Sequence, residues 1–244
     1  MPIPAAPRRW LPLAGAALTV AAGVIALPPV SRAEPSVAVE PGPPADAHPD
    51  LRRLSPDHAI WIDPARRQVL VGGVVALAEG PIEVFACPER TKEHEAVVAT
   101  RCPARLLHAG LLAIGLEPGN PVSFHPEYAA ARGPAVAIRV RWLDAAGRAQ
   151  ESTAQEWVRN TKTGRQLEAE WVFAGSGFWR DPADGGEHYQ ADGGDMICVS
   201  NFPTALLDLP LESSESNEAL LFEVFAGRVP ARGTDVELVL SAAE

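Results

Sequence analysis

Val136-Ala137-Ile138-Arg139-Val140-Arg141-Trp142-Leu143 alternates strictly, with Val136, Ile138, Val140 and Trp142 on one side of an extended chain and Arg139 and Arg141 on the other. Successive side chains of a strand point to opposite faces, so this is a strand with one face in a core and one in water. The same pattern repeats outward in both directions. Residues 68–77, 82–87 and 94–100 read as strands, the first two parted by Glu79-Gly80-Pro81. The last two are expected to form a hairpin across 88–93, which would set Cys87 opposite His94 at its mouth. Downstream, 153–158 and 167–173 form an expected hairpin around 160–164. Gly175-Ser176-Gly177 breaks the line and Phe178-Trp179 resumes it. Residues 187–191 and 196–200 pair about Asp192-Gly193-Gly194-Asp195, whose glycines suit positive φ. Residues 220–225 and 236–240 close the chain; Phe222 and Val224 favour strand over a helix capped at Ser216-Asn217.

One helix interrupts this series, at about 103–115. Pro103 occupies its first position, Gly115 lies near its end and Pro118 beyond. Leu107, Leu111 and Ile114 share a face, His108 lies about 100° round from Leu107, and Gly110 admits a close neighbour. The expected fold is therefore α+β: a predominantly antiparallel sheet with one packed helix.

The N-terminus reads as an export signal. Arg8 and Arg9 precede an apolar run over 13–27, then Pro28-Pro29, then Ser31-Arg32-Ala33 with small residues suited to cleavage after Ala33. Residues 1–33 are expected to be a signal peptide, and the destination extracytoplasmic, periplasmic or secreted. An uncleaved anchor is the alternative, which would tether the chain to a membrane through residues 11–30. Residues 34–50 form a Pro-rich linker, and 51–244 suffice for a single domain.

Residues 1–33 carry three arginines and no acid, so the remainder holds 18 Lys+Arg against 31 Asp+Glu, a net charge of −13. Nucleic acid and anionic lipid surfaces are thereby disfavoured, since both call for basic patches. A protein or a small molecule is the expected partner. The three cysteines, Cys87, Cys102 and Cys198, include no C-x-x-C. In an oxidising compartment their default is one disulfide and one free thiol.

Several dense blocks carry a resemblance. Cys87-Pro88-Glu89-Arg90-Thr91-Lys92-Glu93-His94-Glu95-Ala96, His108-Ala109-Gly110-Leu111-Leu112-Ala113-Ile114-Gly115, Trp171-Val172-Phe173-Ala174-Gly175-Ser176, Tyr189-Gln190-Ala191-Asp192, Ile197-Cys198-Val199-Ser200-Asn201-Phe202 and Leu207-Asp208-Leu209-Pro210 resemble, in order, blocks of the YdjY-domain family. The resemblance covers about 60–241. It implies an exported or membrane-associated protein and brings no reaction with it. An iron–sulfur cluster, sometimes attached to the family's name, does not fit: three separated cysteines cannot supply four thiolates. Cys102 lies outside these blocks, so the resemblance points to Cys87 and Cys198 as the pair for a disulfide.

The candidate functional cluster is Cys87, Thr91, Lys92, Glu93, His94, Glu95, His108 and Cys198. Within it Cys87, His94, His108 and Cys198 offer two thiolates and two imidazoles, a donor set suited to a closed zinc or copper site. The competing reading is a Cys87–Cys198 bridge with two ordinary histidines. His94 beside Glu93 or Glu95 has the make-up of a general base, or of a solvated charged turn; H-E-x-x-H fails because position 98 is Val. Cys102 at a helix start is either a reactive thiol or a small buried residue. Gly175-Ser176-Gly177 lacks the context of a nucleophile elbow and reads as a bulge. Asp181, Asp184, Glu187, Asp192 and Asp195 read as turn formers rather than calcium ligands. Two functions follow: a non-catalytic binding or assembly module, or a metal- or thiol-dependent redox protein.

Overall fold

The computed structural model describes residues 46–183, 185–213 and 220–243. The expected signal peptide over 1–33, most of the expected linker, Asp184 and the alternative cap at Ser216-Asn217 lie outside the described residues. In chain order the strands are β1 (Arg52–Arg53), β2 (Ile60–Asp63), β3 (Gln68–Val75), β4 (Val84–Pro88) and β5 (Ala96–Thr100). Helix α1 (Ala104–Ala113) follows, then β6 (Ala135–Leu143), β7 (Ala149–Thr153), β8 (Val158–Asn160), β9 (Trp171–Phe173) and β10 (Phe178–Arg180). The last five are β11 (Glu187–Tyr189), β12 (Ile197–Cys198), β13 (Leu207–Asp208), β14 (Phe222–Val224) and β15 (Asp235–Ala242).

The alternating stretch that opened the sequence reading is β6, and its neighbours decide the architecture. β15 pairs with it along seven residues, and with β3 on the other side. From β3 the ring runs β15-β6-β9-β13-β12-β4-β5 and returns to β3 where Gly73, Val74 and Val75 pair with Thr100, Ala99 and Val98. Eight strands therefore close on themselves. The fold is a mostly-β closed barrel, with 37% strand and 11% helix among the described residues, which corrects the α+β expectation. Periodicity identifies a strand and its buried face, but which edges meet is set by distant residues. Closure satisfies edges that an open sheet would leave bare.

Alternate residues of the ring form one buried cluster: Val69, Val71 and Val75 on β3, Val136, Ile138 and Val140 on β6, Val236, Leu238 and Leu240 on β15, Trp171 and Phe173 on β9. Phe85 packs against Trp171 and Trp157 with centroids 5.5 and 6.4 Å apart. Truncating any of these aromatics to Ala is expected to cost about 3–5 kcal/mol. The glycine pair of β3 marks a fork, where the strand exchanges β2 for β5 on one edge. A Cβ on Gly72 would lie 2.9 Å from the Ala59 Cβ, and one on Gly73 2.7 Å from the Ala99 carbonyl oxygen.

Helix α1 buries Leu107 and Leu111 in the same core. Gly110 faces Val69 so closely that a Cβ would sit 2.9 Å from Val69 Cγ1, as its place among the helix's apolar residues suggests. Among the described residues no helix is long and apolar enough to cross a membrane.

Three local pairings differ from expectation. β4 and β5 are parallel, with Cys87 beside Ala99, so no hairpin sets Cys87 opposite His94. The seven residues 89–95 instead carry the chain back to the start of β4, where the Glu83 N–H donates to the Glu95 carbonyl. Residues 154–157 form a 3-10 turn, so the expected hairpin about 160–164 is shorter than expected: β8 meets 165–167 across that turn, with Arg159 opposite Gln166, and pairs with β14 on its other edge. Residues 187–189 pair with β10, while β12 lies between β4 and β13.

Candidate functional site

The 89–95 return sets up the first part of the site. Thr91 Oγ1 donates to the Pro88 carbonyl at 2.6 Å, Glu93 accepts from the Arg90 N–H, and the Glu95 N–H donates to the Lys92 carbonyl at 3.0 Å. These bonds fix a tight reversal that turns Lys92 inward and His94 outward. Lys92 Nζ lies 3.2 Å from Glu95 Oε1, 3.2 Å from Asp195 Oδ1, 3.7 Å from Glu83 Oε2 and 4.3 Å from the Phe202 ring centroid. Gly194, at φ 134°, lets the lysine stem pass; a Cβ there would lie 2.5 Å from Lys92 Cγ. Burial works against the lysine's charge, but Asp195 and Glu95 outweigh it and hold the ammonium above its ordinary pKa. Burial and the neighbouring Glu95 carboxylate push Glu83 upward.

His94 stands 76% exposed, 3.9 Å from Glu95. Cys87 is fully buried, and burial pushes its thiol up to about 11 against the opposing Thr91 side chain. Burial holds Cys198 far above its ordinary value and takes Cys102 to about 12. All three are free and buried thiols, so the Cys87–Cys198 bridge is not made here. A thiolate nucleophile needs a lowered pKa and access, and none of the three has either.

His108 belongs elsewhere. Its Nδ1 is 2.8 Å from the Tyr189 hydroxyl, which donates to the Gly175 carbonyl at 2.9 Å. Its ring meets Phe173 and Tyr189 edge-on, and burial lowers its pKa against a hydrogen bond to the Gly175 backbone carbonyl. Ser176, at φ 55°, donates to the Thr204 carbonyl at 2.6 Å and accepts from the Ala191 N–H at 3.2 Å. Asp192 accepts the Arg105 N–H at 3.0 Å in the first turn of α1, satisfying a donor that a helix start leaves free. These residues clasp the helix to the barrel. Among the described residues no three His, Cys, Asp or Glu side chains are arranged to hold a metal; Cys87, His94, His108 and Cys198 are not brought together.

The second part of the site was missed in the sequence. Asn201 and Asp208 are both buried. Asn201 Nδ2 donates to Asp208 Oδ1 at 3.3 Å, as does the Leu209 N–H at 2.8 Å, and the Ser213 N–H donates to Asn201 Oδ1 at 2.8 Å. Burial raises the Asp208 carboxyl to about 7 against these bonds. Beside them, Val122, Ser123, Phe124 and His125 face Asn201, Phe202 and Pro203 across an open pocket of about 490 Å³. Tyr128 extends this surface, its ring 5.8 Å from Phe124 and its hydroxyl 3.4 Å from Asn201 Oδ1. Phe202 joins the two parts, contacting Lys92 and lining the pocket. The available signal was Asp208 itself, a lone acid inside Leu206-Leu207-Asp208-Leu209.

A closed barrel with an aromatic-walled pocket on its surface, its thiols disarmed and its histidines apart, defines a small β-barrel module. The chain belongs to the YdjY-domain family, whose model matches residues 60–241. Comparison with curated proteins and with solved structures returns no match.

Proposed function

We propose that this protein is an exported, extracytoplasmic, non-catalytic binding module whose recognition surface is the pocket between 122–125 and 201–203. The observation that carries the reading is a contrast of roles. The polar groups of the sequence-predicted cluster are engaged internally or, as at His94, stand in solvent, whereas the pocket stays open beside Phe124, Tyr128 and Phe202. Aromatic walls with a few oriented polar groups are the usual make-up of a small-ligand or peptide site. Export is supported by Arg8-Arg9, the apolar run 13–27 and Ser31-Arg32-Ala33. The excess of acid over base disfavours nucleic acid as the partner. Among the described residues a metal- or thiol-dependent redox role finds no gathered donor set to support it.

The test is amide NMR of the labelled domain titrated with a panel of short unstructured peptides and small aromatic fragments. Binders are expected to shift resonances of 122–128 and 201–203 and to lose affinity about tenfold, ~1.4 kcal/mol, in Phe124→Ala. Shifts confined to another face, or binding unchanged by that substitution, would refute the assignment.

A further inference from the structure

Lys92 is enclosed by three carboxylates and an aromatic ring. Asp195 Oδ1 lies 3.2 Å from Lys92 Nζ, yet this buried oxygen accepts no well-directed hydrogen bond. Asp195 Oδ2 accepts the Thr204 hydroxyl at 2.5 Å. Glu95 Oε1 is 3.2 Å from the same nitrogen, and Glu83 Oε2 is 3.7 Å away. The Phe202 ring covers Nζ from another side. The amine, the carboxyl, a second carboxyl within proton-transfer reach and a hydroxyl on the acceptor oxygen are thus held together in a mostly buried site.

We propose that Lys92 and Asp195 condense into an intramolecular amide that ties the 89–95 return to the turn at 190–195. Glu95 takes a proton from the ammonium, and the freed Nζ lone pair forms a bond to Asp195 Cγ. The Thr204 hydroxyl steadies the charge that develops on Oδ2. The Cγ–Oδ1 bond then breaks. Oδ1 leaves as water, carrying one proton returned by Glu95 and one from the nitrogen, and Glu95 ends as it began. The ammonium and carboxylate become a neutral amide and one water, with no oxidant or reductant. Contact at about 3–3.5 Å in a fixed orientation is what such a bimolecular step otherwise lacks, and Glu95 lies within the ~3.2 Å reach of a general base. The driving force is the burial of charge. Three carboxylates share one ammonium here, and burial and Glu95 already hold the Glu83 carboxyl above its ordinary pKa. Replacing two buried charges by a neutral amide relieves their desolvation.

Intact-mass measurement of the purified full chain, followed by trypsin digestion of the unfolded protein, tests this independently of any ligand. The mass is expected to fall below that of the sequence by one water. Fragments 91–101 and 181–228, which contain Lys92 and Asp195, are expected to remain joined. Lys92→Arg and Asp195→Ala, each checked for folding by circular dichroism, are expected to restore the full mass, and Glu95→Gln to slow formation at least tenfold. A wild-type chain that keeps its full mass and is cut after Lys92 overturns the proposal. So does a water loss that persists in Lys92→Arg, or that maps to Asp192-Gly193 within a linear fragment as a succinimide.

Discussion

Replacing Asp208 by Asn tests whether the buried acid bonded to Asn201 is held neutral. In the fold its carboxyl is raised to about 7 from an ordinary 3.8, with burial the dominant cause. A factor of ten in proton affinity is 1.36 kcal/mol, so the full shift corresponds to about 4 kcal/mol, and roughly 2–4 kcal/mol is expected once the structure relaxes. The sign follows from proton counting. Between the two values the folded protein keeps the proton and the unfolded chain has released it, so the folded state binds more protons. Stability from this group is therefore fully present below about pH 4 and falls as pH rises towards about 7, with no further loss above. Asn is nearly isosteric, keeps an oxygen for the Leu209 and Asn201 N–H groups, and does not titrate. Urea unfolding, followed by the fluorescence of buried Trp157 and Trp171, measures both proteins from about pH 4 to about pH 8. Wild type is expected to lose roughly 2–4 kcal/mol more than Asp208→Asn across that range, at equal m-values. Parallel pH profiles would refute the reasoning, because they would mean Asp208 titrates alike in the folded and unfolded states.

Two further outcomes concern the thiols and the N-terminus. Even if the bulge in β4 absorbs one residue, Cys87 and Cys198 stand two residues of rise and one strand spacing apart, ~8 Å between Cα atoms, beyond the ~7 Å a disulfide spans. Unreduced protein from an exporting host is expected to show three reactive thiols in denaturant and almost none when native; finding only one in denaturant would overturn this. Expressed with residues 1–33 in such a host, the chain is expected in the extracytoplasmic fraction with Glu34 as its first residue, and recovery of cytosolic protein that begins at Met1 would refute export.

How far the fold was legible depended on the range of the interactions involved. Val136, Ile138 and Val140 point inward and Arg139 and Arg141 outward as their alternation requires, because the pleat imposes that division locally. The helix falls within two residues of its expected bounds, because Pro103 and Gly115 act on the backbone beside them. The pairing of Val84–Pro88 with Ala96–Thr100 was misread because a short loop ordinarily joins antiparallel strands. What makes the parallel arrangement possible is invisible in residues 82–100 alone. β3 must receive β5 at Gly73, and β12 must cover the other edge of β4. Closure into a barrel is the sum of such choices, none of them local.

The site divides along the same line, and its two halves explain each other. Charge density drew attention to Thr91-Lys92-Glu93-His94-Glu95, yet the residues that give Lys92 its surroundings, Glu83, Asp195 and Phe202, lie on three other segments. His94, chemically the most suggestive member, is the one the turn leaves in solvent, because the bonds that aim Lys92 inward leave the residue two further on facing out. Asp208 and Asn201, present in the family blocks, do not stand out as functional for the opposite reason: they sit in apolar company, where a single polar residue looks incidental. Burial reverses that weighting. A solvated Glu-His pair costs nothing to keep and specifies little, whereas a buried acid and amide must be mutually satisfied or the fold is destabilised. Phe202, between Lys92 and the pocket, couples the two halves, so a change that releases Lys92 from its ring should alter the pocket wall as well.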